Sequence, residues 1–206
     1  MAVVAPVPAL VVVLTGGTAR RLGGVDKTAI DVGGRSVLQR LVDGLRPWPV
    51  VVVGPRQDVV PAVLWTREEP AGSGPFAGAA AGVAAGTRAH PGTEVVVVLA
   101  GDQPFAAAAV APLLSALEEA PAADAALARG PDGRAQPLLA AYRLTALGHR
   151  LTGEVRDRPA RLLADGLRTV LVDVGAATAL DVDDADDLAA ARRVVEGVSR
   201  SPDAGR

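Results

Sequence analysis

The sequence predicts an α/β domain of three layers around a mostly parallel central sheet. Three observations predict it. Valine-rich runs at 9–14, 50–53 and 94–99 are almost continuously apolar, as expected of strands covered on both faces. Segments with apolar residues at helical spacing stand between those runs. Glycine-containing turns follow the first and third runs, at the strand ends where such sheets bind ligands.

The chain in order supports each element. Ala9 to Leu14 reads as a buried strand that empties into the loop Thr15 to Lys27. Ile30-Asp31-Val32 is a short extended segment turned by Gly33-Gly34. Ser36 can cap a helix whose positions Val37, Leu38, Leu41, Val42 and Leu45 keep helical spacing, and Pro47 ends it. Val50 to Val53 is a second strand and Ala62 to Trp65 a third. Phe76 to Arg88 reads as a helix of very small residues. Its internal glycines each cost about 1 kcal/mol relative to alanine, so close packing against a sheet or a ligand must offset them. Glu94 to Leu99 is the next strand, and a helix follows over Ala107 to Ala120. Asp124 to Ala128 and Pro137 to Arg143 are strands around a turn at Pro131-Asp132-Gly133. Helices are expected from Thr145 and over Ala160 to Asp165. Thr169 to Val174 is a late strand, and Ala185 to Gly197 the last helix.

Length and composition bound the function. The 206 residues suit one domain, 1–198, with a tail from 199 to 206 expected to be disordered. Half the residues are hydrophobic, enough for a sizeable core, and with 2% aromatics that core rests on small aliphatic contacts. A net charge of −2 gives no electrostatic reason to expect nucleic acid. The chain has no cysteine, which excludes disulfides and thiolate metal sites, and His90 and His149 are too few for an ordinary zinc site. Met1 to Leu14 is apolar but lacks the basic start of a signal peptide and carries Pro6 and Pro8. No apolar run approaches the roughly 20 residues that span a bilayer. A cytoplasmic protein without a membrane partner is the expectation.

Three motifs carry chemistry. The first is the loop after strand 1, which combines Gly16, Gly17, Gly23 and Gly24 with Arg20, Arg21 and Lys27. Glycines let backbone N–H groups approach a ligand, and cations suit a polyphosphate. It is neither a dinucleotide fingerprint, since G-x-G-x-x-G is absent, nor a Walker loop, since Asp26 stands where that motif needs glycine. The second is Ala100-Gly101-Asp102-Gln103-Pro104-Phe105. An aspartate at a strand's carboxyl end serves either as a turn or cap residue or as a ligand for Mg²⁺, which prefers oxygen. The third is Leu180 to Leu188, with aspartates at 181, 183, 184, 186 and 187, which either cap a helix or hold a metal.

On these residues the chain resembles the MobA-like nucleotidyltransferases. Leu14-Thr15-Gly16-Gly17 followed by Arg21-Leu22-Gly23-Gly24-Val25-Asp26-Lys27 is similar to that family's L-A-G-G-x-x-x-R-M-G-x-x-D-K, with Thr15 for alanine and Leu22 for methionine. Asp102 to Phe105 resembles its D-x-P-F. Gly74-Pro75-Phe76-Ala77-Gly78 resembles its G-P-L-A-G, Gln136 to Tyr142 its Q-P-L-x-A-x-Y, and Asp181 to Leu188, more loosely, its D/N-x-D/N-T-P-E-D-L.

The resemblance implies a three-layer Rossmann-like nucleotidyltransferase fold. It implies that the backbone of Leu14, Thr15, Gly16 and Gly17, with Arg21 and Lys27, holds the triphosphate of an incoming nucleotide, and that Gly74 and Pro75 lie against it. Asp102 would bind a catalytic Mg²⁺, with Asp183 as a second ligand. Arg21, Lys27 and Asp102 would form the catalytic set. The form of the loop is most similar to the guanylyltransferases of molybdenum cofactor synthesis. That implies transfer of GMP from GTP to molybdopterin with release of pyrophosphate. Guanylyl enzymes tend to show Asn after strand 2 and Asp before G-P-L-A-G, where this chain has Pro55 and Arg67, with Glu68 one step on. Either the base is read mainly by backbone groups, or the nucleotide differs. A cytidylyltransferase of the same fold, acting on molybdopterin or another phosphorylated small molecule, is the alternative. A non-catalytic nucleotide-binding adaptor is the reading from a different class. Arg158 and Arg161 are equally open to an anionic acceptor or to solvent, and His149 is expected at the surface.

Overall fold

The computed structural model describes residues 8–16, 18–19 and 25–200. Among them seven strands form the main sheet: β1 (Ala9–Leu14), β4 (Val50–Val53), β5 (Leu64–Thr66), β6 (Val95–Ala100), β7 (Ala125–Arg129), β8 (Ala135–Arg143) and β9 (Thr169–Asp173). Their order across the sheet is β5-β4-β1-β6-β8-β7-β9. Thr18–Ala19 (β2) and Val25–Asp26 (β3) pair as a separate antiparallel ribbon. The helices are α1 (Val37–Gly44), α2 (Gly74–Ala89), α3 (Val110–Glu119), α4 (Leu144–Arg150) and α5 (Ala185–Arg200). Strands β5, β4, β1 and β6 are mutually parallel, β8 is antiparallel to both β6 and β7, and β7 is parallel to β9. The sheet is thus mostly parallel, as the continuous valine runs predict.

The alternation of side chains across a strand sorts the core into two layers. Val11, Val13, Val97 and Leu99 pack with Leu38, Leu41, Leu113 and Leu117 from α1 and α3 on one face. Leu10, Val12, Val96 and Val98 pack with Phe76, Ala79 and Val83 from α2, and with Leu147 from α4, on the other. Ser36 caps α1 as predicted, its Oγ accepting the Gln39 N–H at 3.1 Å. The glycines of α2 are explained by the sheet. A Cβ on Gly82 would stand 2.4 Å from Val12 Cγ1, and one on Gly86 2.2 Å from Leu10 Cδ2. The helix lies too near the sheet for side chains there, and burial on both surfaces offsets its poor intrinsic propensity.

Some boundaries differ from expectation. The third strand is Leu64–Thr66, two residues later than its predicted start, and the helix expected over Ala160 to Asp165 is a 3₁₀ turn, Ala160–Leu163. The last helix continues to Arg200, so 199 and 200, expected in the tail, are helical, and 201–206 lie outside the described residues. No described helix is long and apolar enough to cross a membrane.

At the far side of the sheet Asp124 ties β7 to β9. Its carboxylate accepts from the Arg168 backbone N–H at 3.0 Å, from Nε at 2.9 Å and from Nη2 at 2.7 Å. These bonds hold its pKa down at about 2, against an ordinary value of 3.8. A depressed folded-state pKa stabilises the fold above the unfolded value and loses that contribution as pH falls through the folded one. The stability advantage of the wild type over Asp124→Asn is therefore expected to be full at pH 5 and to disappear as pH falls toward 2. Urea unfolding of both proteins across that range measures it.

Candidate active site

The strand register sets out the site. Leu14 pairs with Val53 on one side and with Ala100 on the other, so β4, β1 and β6 end flush. The next residues, Thr15, Gly54 and Gly101, interlock. Thr15 donates both its N–H, at 2.8 Å, and its Oγ1 hydroxyl, at 2.9 Å, to the carbonyl of Val53. Gly54 has φ +142, and a Cβ there would stand 2.3 Å from the carbonyl oxygen of Thr15. A Cβ on Gly101 would meet the carbonyl oxygen of Leu14 at 2.9 Å. Only glycine fits this backbone at 54. The threonine that replaces the family's alanine thus has a structural use: its hydroxyl ties β1 to β4.

Beyond this edge lies a cleft of about 330 Å³ lined by Leu14, Thr15, Gly16, Val53, Glu68, Gly72, Gly74, Pro75, Gly78, Ala100, Asp102 and Leu138. A recess of about 20 Å³ adjoins it, lined by Leu14, Gly16, Lys27, Thr28 and Asp102. A roomier hollow of about 570 Å³ touches Pro8, Trp48 and His90 and has no Asp, Glu, Lys or Arg in its lining. Charge rather than volume therefore singles out the cleft.

Lys27 lines the adjoining recess. It opens a single 3₁₀ turn, Lys27–Ala29, capped by Asp26. Its Nζ lies 3.3 Å from Asp102 Oδ2 and forms a second ion pair with Asp183 Oδ1. Burial alone would lower the Lys27 pKa. The hydrogen bonds and negative charges of Asp183 and Asp102 outweigh it and hold the ammonium above its ordinary value. Lys27 is thus a fixed cation at neutral pH and not a proton acceptor.

Asp183 arrives there because of its neighbour. Val182 is fully buried with Val32, Val37 and Ala191, and its N–H donates to the Asp102 carbonyl at 3.0 Å. The next side chain, Asp183, meets Lys27. The remaining acidic residues divide between roles. Asp184 Oδ1 accepts from the N–H groups of Asp186 and Asp187, and Asp187 Oδ2 accepts from those of Asp183 and Asp184. That reciprocal pair caps α5, while Asp183 alone of the run pairs with Lys27. Asp181 titrates above the ordinary carboxylate range, chiefly through desolvation, with the charges of Asp183, Asp102 and Asp187 adding to it.

Of the residues the sequence nominated, Leu14, Thr15, Gly16, Gly74, Pro75 and Asp102 line the cleft, and Lys27 and Asp183 meet beside it. Gly17 and Arg21 lie outside the described residues. Glu68 lines the cleft and accepts the Gly72 N–H at 2.7 Å, whereas Pro55 and Arg67 are exposed and not among the lining residues. Arg158 lies 4.5 Å from the centroid of the Phe76 ring, a cation–π contact on α2. Arg161 and His149 are exposed. Sequence reasoning missed Gln57, Gly54 and the hydroxyl of Thr15. Their partners are distant in the chain and leave no local pattern.

Two carboxylates from separate segments, both bearing on one cation, are an oxygen donor set that Mg²⁺ accepts alongside substrate phosphates. No group of three or more His, Asp or Glu among the described residues could hold a metal ion by itself. The donor set fits a divalent ion that takes further oxygens from a ligand.

The family model for the MobA-like NTP transferase domain matches residues 11–170. The chain belongs to the MobA-like NTP transferase family. None of the curated proteins compared matches it. Among solved structures it is similar to the molybdopterin-guanine dinucleotide biosynthesis protein A of Archaeoglobus fulgidus, at 20% identity and a TM-score of 0.65, over 91% of this chain and 98% of that one. It is also similar to the 2-C-methyl-D-erythritol 4-phosphate cytidylyltransferase of Thermus thermophilus, at 21% identity and a TM-score of 0.62, over 90% and 98%. A third is the Mycobacterium tuberculosis protein Rv0371C in complex with manganese, at 19% identity and a TM-score of 0.62, over 90% and 97%. At these identities the likeness concerns the fold. A MobA-like NTP transferase moves a nucleotidyl group from a nucleoside triphosphate to a small acceptor, which the cleft and its charges suit.

Proposed function

We propose that the chain is a Mg²⁺-dependent guanylyltransferase that transfers GMP from GTP to molybdopterin and releases pyrophosphate. The observation that carries the reading is the Lys27 ammonium held between Asp102 and Asp183 at the end of the sheet. An oxygen of the acceptor phosphate attacks the α-phosphorus, the bond to the bridging oxygen of the β-phosphate breaks, and pyrophosphate leaves. Such a reaction needs alignment and charge neutralisation more than a protein nucleophile. Lys27, with Arg21, neutralises the triphosphate. The backbone of Leu14, Thr15, Gly16 and Gly17 cradles it, and Gly74 and Pro75 lie against the nucleotide. Asp102 and Asp183 would hold the divalent ion, which when bound would supply charge neutralisation for the phosphates. The acceptor brings its own nucleophilic oxygen, so no general base is assigned.

A second reading, a cytidylyltransferase, is favoured by Pro55 and Arg67 at the places where guanylyl enzymes tend to show Asn and Asp, and by the likeness to a Thermus cytidylyltransferase. Pyrophosphate release with GTP and with CTP, each with and without molybdopterin, separates the two. Release with GTP, at least tenfold over CTP and dependent on molybdopterin, is expected. A CTP preference moves the reading to the second. Absence of turnover with either nucleotide and any acceptor favours an adaptor.

A further inference from the structure

We propose that Gln57 is a positioning residue for Lys27, acting through Asp26 and Thr28. The inference rests on the reading of Lys27 as a phosphate-binding cation. Lys27 springs from a turn of only three residues, preceded by the two-residue strand β3. Such a short piece has little internal rigidity. Its direction is set by a closed cluster of hydrogen bonds. Asp26 Oδ1 accepts the Thr28 N–H at 3.0 Å and the Thr28 hydroxyl at 2.7 Å. Gln57 Nε2 donates to the other carboxylate oxygen of Asp26 at 2.9 Å and to Thr28 Oγ1 at 2.6 Å.

Both N–H bonds of one amide are thus used on the two residues that flank Lys27. Thr28 is buried, so its hydroxyl needs these partners. Gln57 belongs to the loop that follows β4, and the contact fastens the lysine turn to the sheet's own framework. The residue type is specific. A glutamate would set a like charge against Asp26, and an asparagine is one methylene too short to keep both bonds. Without the amide, Asp26 and Thr28 still cap the turn, but nothing in the cluster ties it to the β4 loop. Lys27 would then lose its fixed place beside Asp102 and Asp183.

The test is a double-mutant cycle read on binding of inorganic tripolyphosphate, which needs no acceptor and no turnover. Gln57→Ala is expected to weaken tripolyphosphate about fivefold, with the melting temperature of the wild type nearly kept, and Lys27→Ala to weaken it further. In the Lys27→Ala background, Gln57→Ala should add nothing, because its effect passes through the lysine. Gln57→Asn should recover part of the loss. Additive losses in the double variant, or unchanged binding in Gln57→Ala, overturn the proposal. A wild type that binds tripolyphosphate but transfers no nucleotide would sink the proposed function while leaving this cycle readable. A wild type that binds no tripolyphosphate overturns both.

Discussion

Asp102→Asn is expected to lower metal-dependent nucleotidyl transfer on the order of 10³-fold, while leaving the fold intact. The substitution keeps the shape of the side chain and removes its charge. The backbone carbonyl of Asp102, which receives the Val182 N–H at 3.0 Å, is untouched, so the acidic segment stays docked. What is lost is one of the two carboxylates that bear on Lys27. If Asp102 and Asp183 hold the divalent ion as proposed, Asp183 alone would then be left to hold it. Steady-state pyrophosphate release, with Mg²⁺ varied, measures the loss, and thermal unfolding checks the fold. Removing the divalent ion with a chelator should mimic the variant in the wild type and be reversed by adding Mg²⁺ back. Turnover within threefold of wild type in Asp102→Asn would remove this carboxylate from the mechanism.

Gly54→Ala is expected to cost the fold about 3–5 kcal/mol, a large share of the stability of an ordinary domain. Two effects add. The backbone at 54 has φ +142, a region that L side chains rarely adopt, and the added methyl would stand 2.3 Å from the Thr15 carbonyl oxygen and 2.2 Å from its hydroxyl. Thr15→Ala cannot rescue it, because the carbonyl remains. Gly133→Ala is the control. Its φ of +76 is also unfavourable, but a Cβ there meets nothing within 4 Å, so about 1 kcal/mol is expected. Urea unfolding midpoints compare the two. Equal losses would show that the crowding at Thr15 is relieved by a small shift.

Local patterns made most of the scaffold legible. Continuous valine runs identified the buried strands, because covering on both faces demands apolar residues at every position. Ser36 before an apolar periodicity located α1, since capping is a matter of a few adjacent residues. The third strand was harder: β5 is three residues long at the sheet edge, and it is offset from the apolar run 62–65, beginning at exposed Leu64 and ending on the polar Thr66. The segment 160–163 is rich in helix formers, yet it makes one 3₁₀ turn, pulled in by buried Leu163.

Within the site, Lys27, Asp102 and Gly74 were legible because their motifs are contiguous. The roles inside the acidic run were not. Five aspartates are chemically alike, and which of them meets Lys27 depends on the burial of Val182 against Val32 and Val37, far off in the chain. The hydroxyl of Thr15 was unreadable for the same reason: its acceptor, Val53, is 38 residues away.

The flush ends of β4, β1 and β6 give positional error in this site a fixed step. A strand in a sheet cannot slide by a fraction of its repeat, because its hydrogen bonds are made or broken one residue at a time. A slip of one residue in β6 would carry Asp102 about 3.3 Å along the strand axis and send each side chain of the strand to the opposite face. The placement of the β6 end, and of Asp102 just beyond it, relative to the sheet is therefore digital in character. Small strains in the surrounding loops leave that register unchanged, and a change large enough to shift it would dismantle the core first.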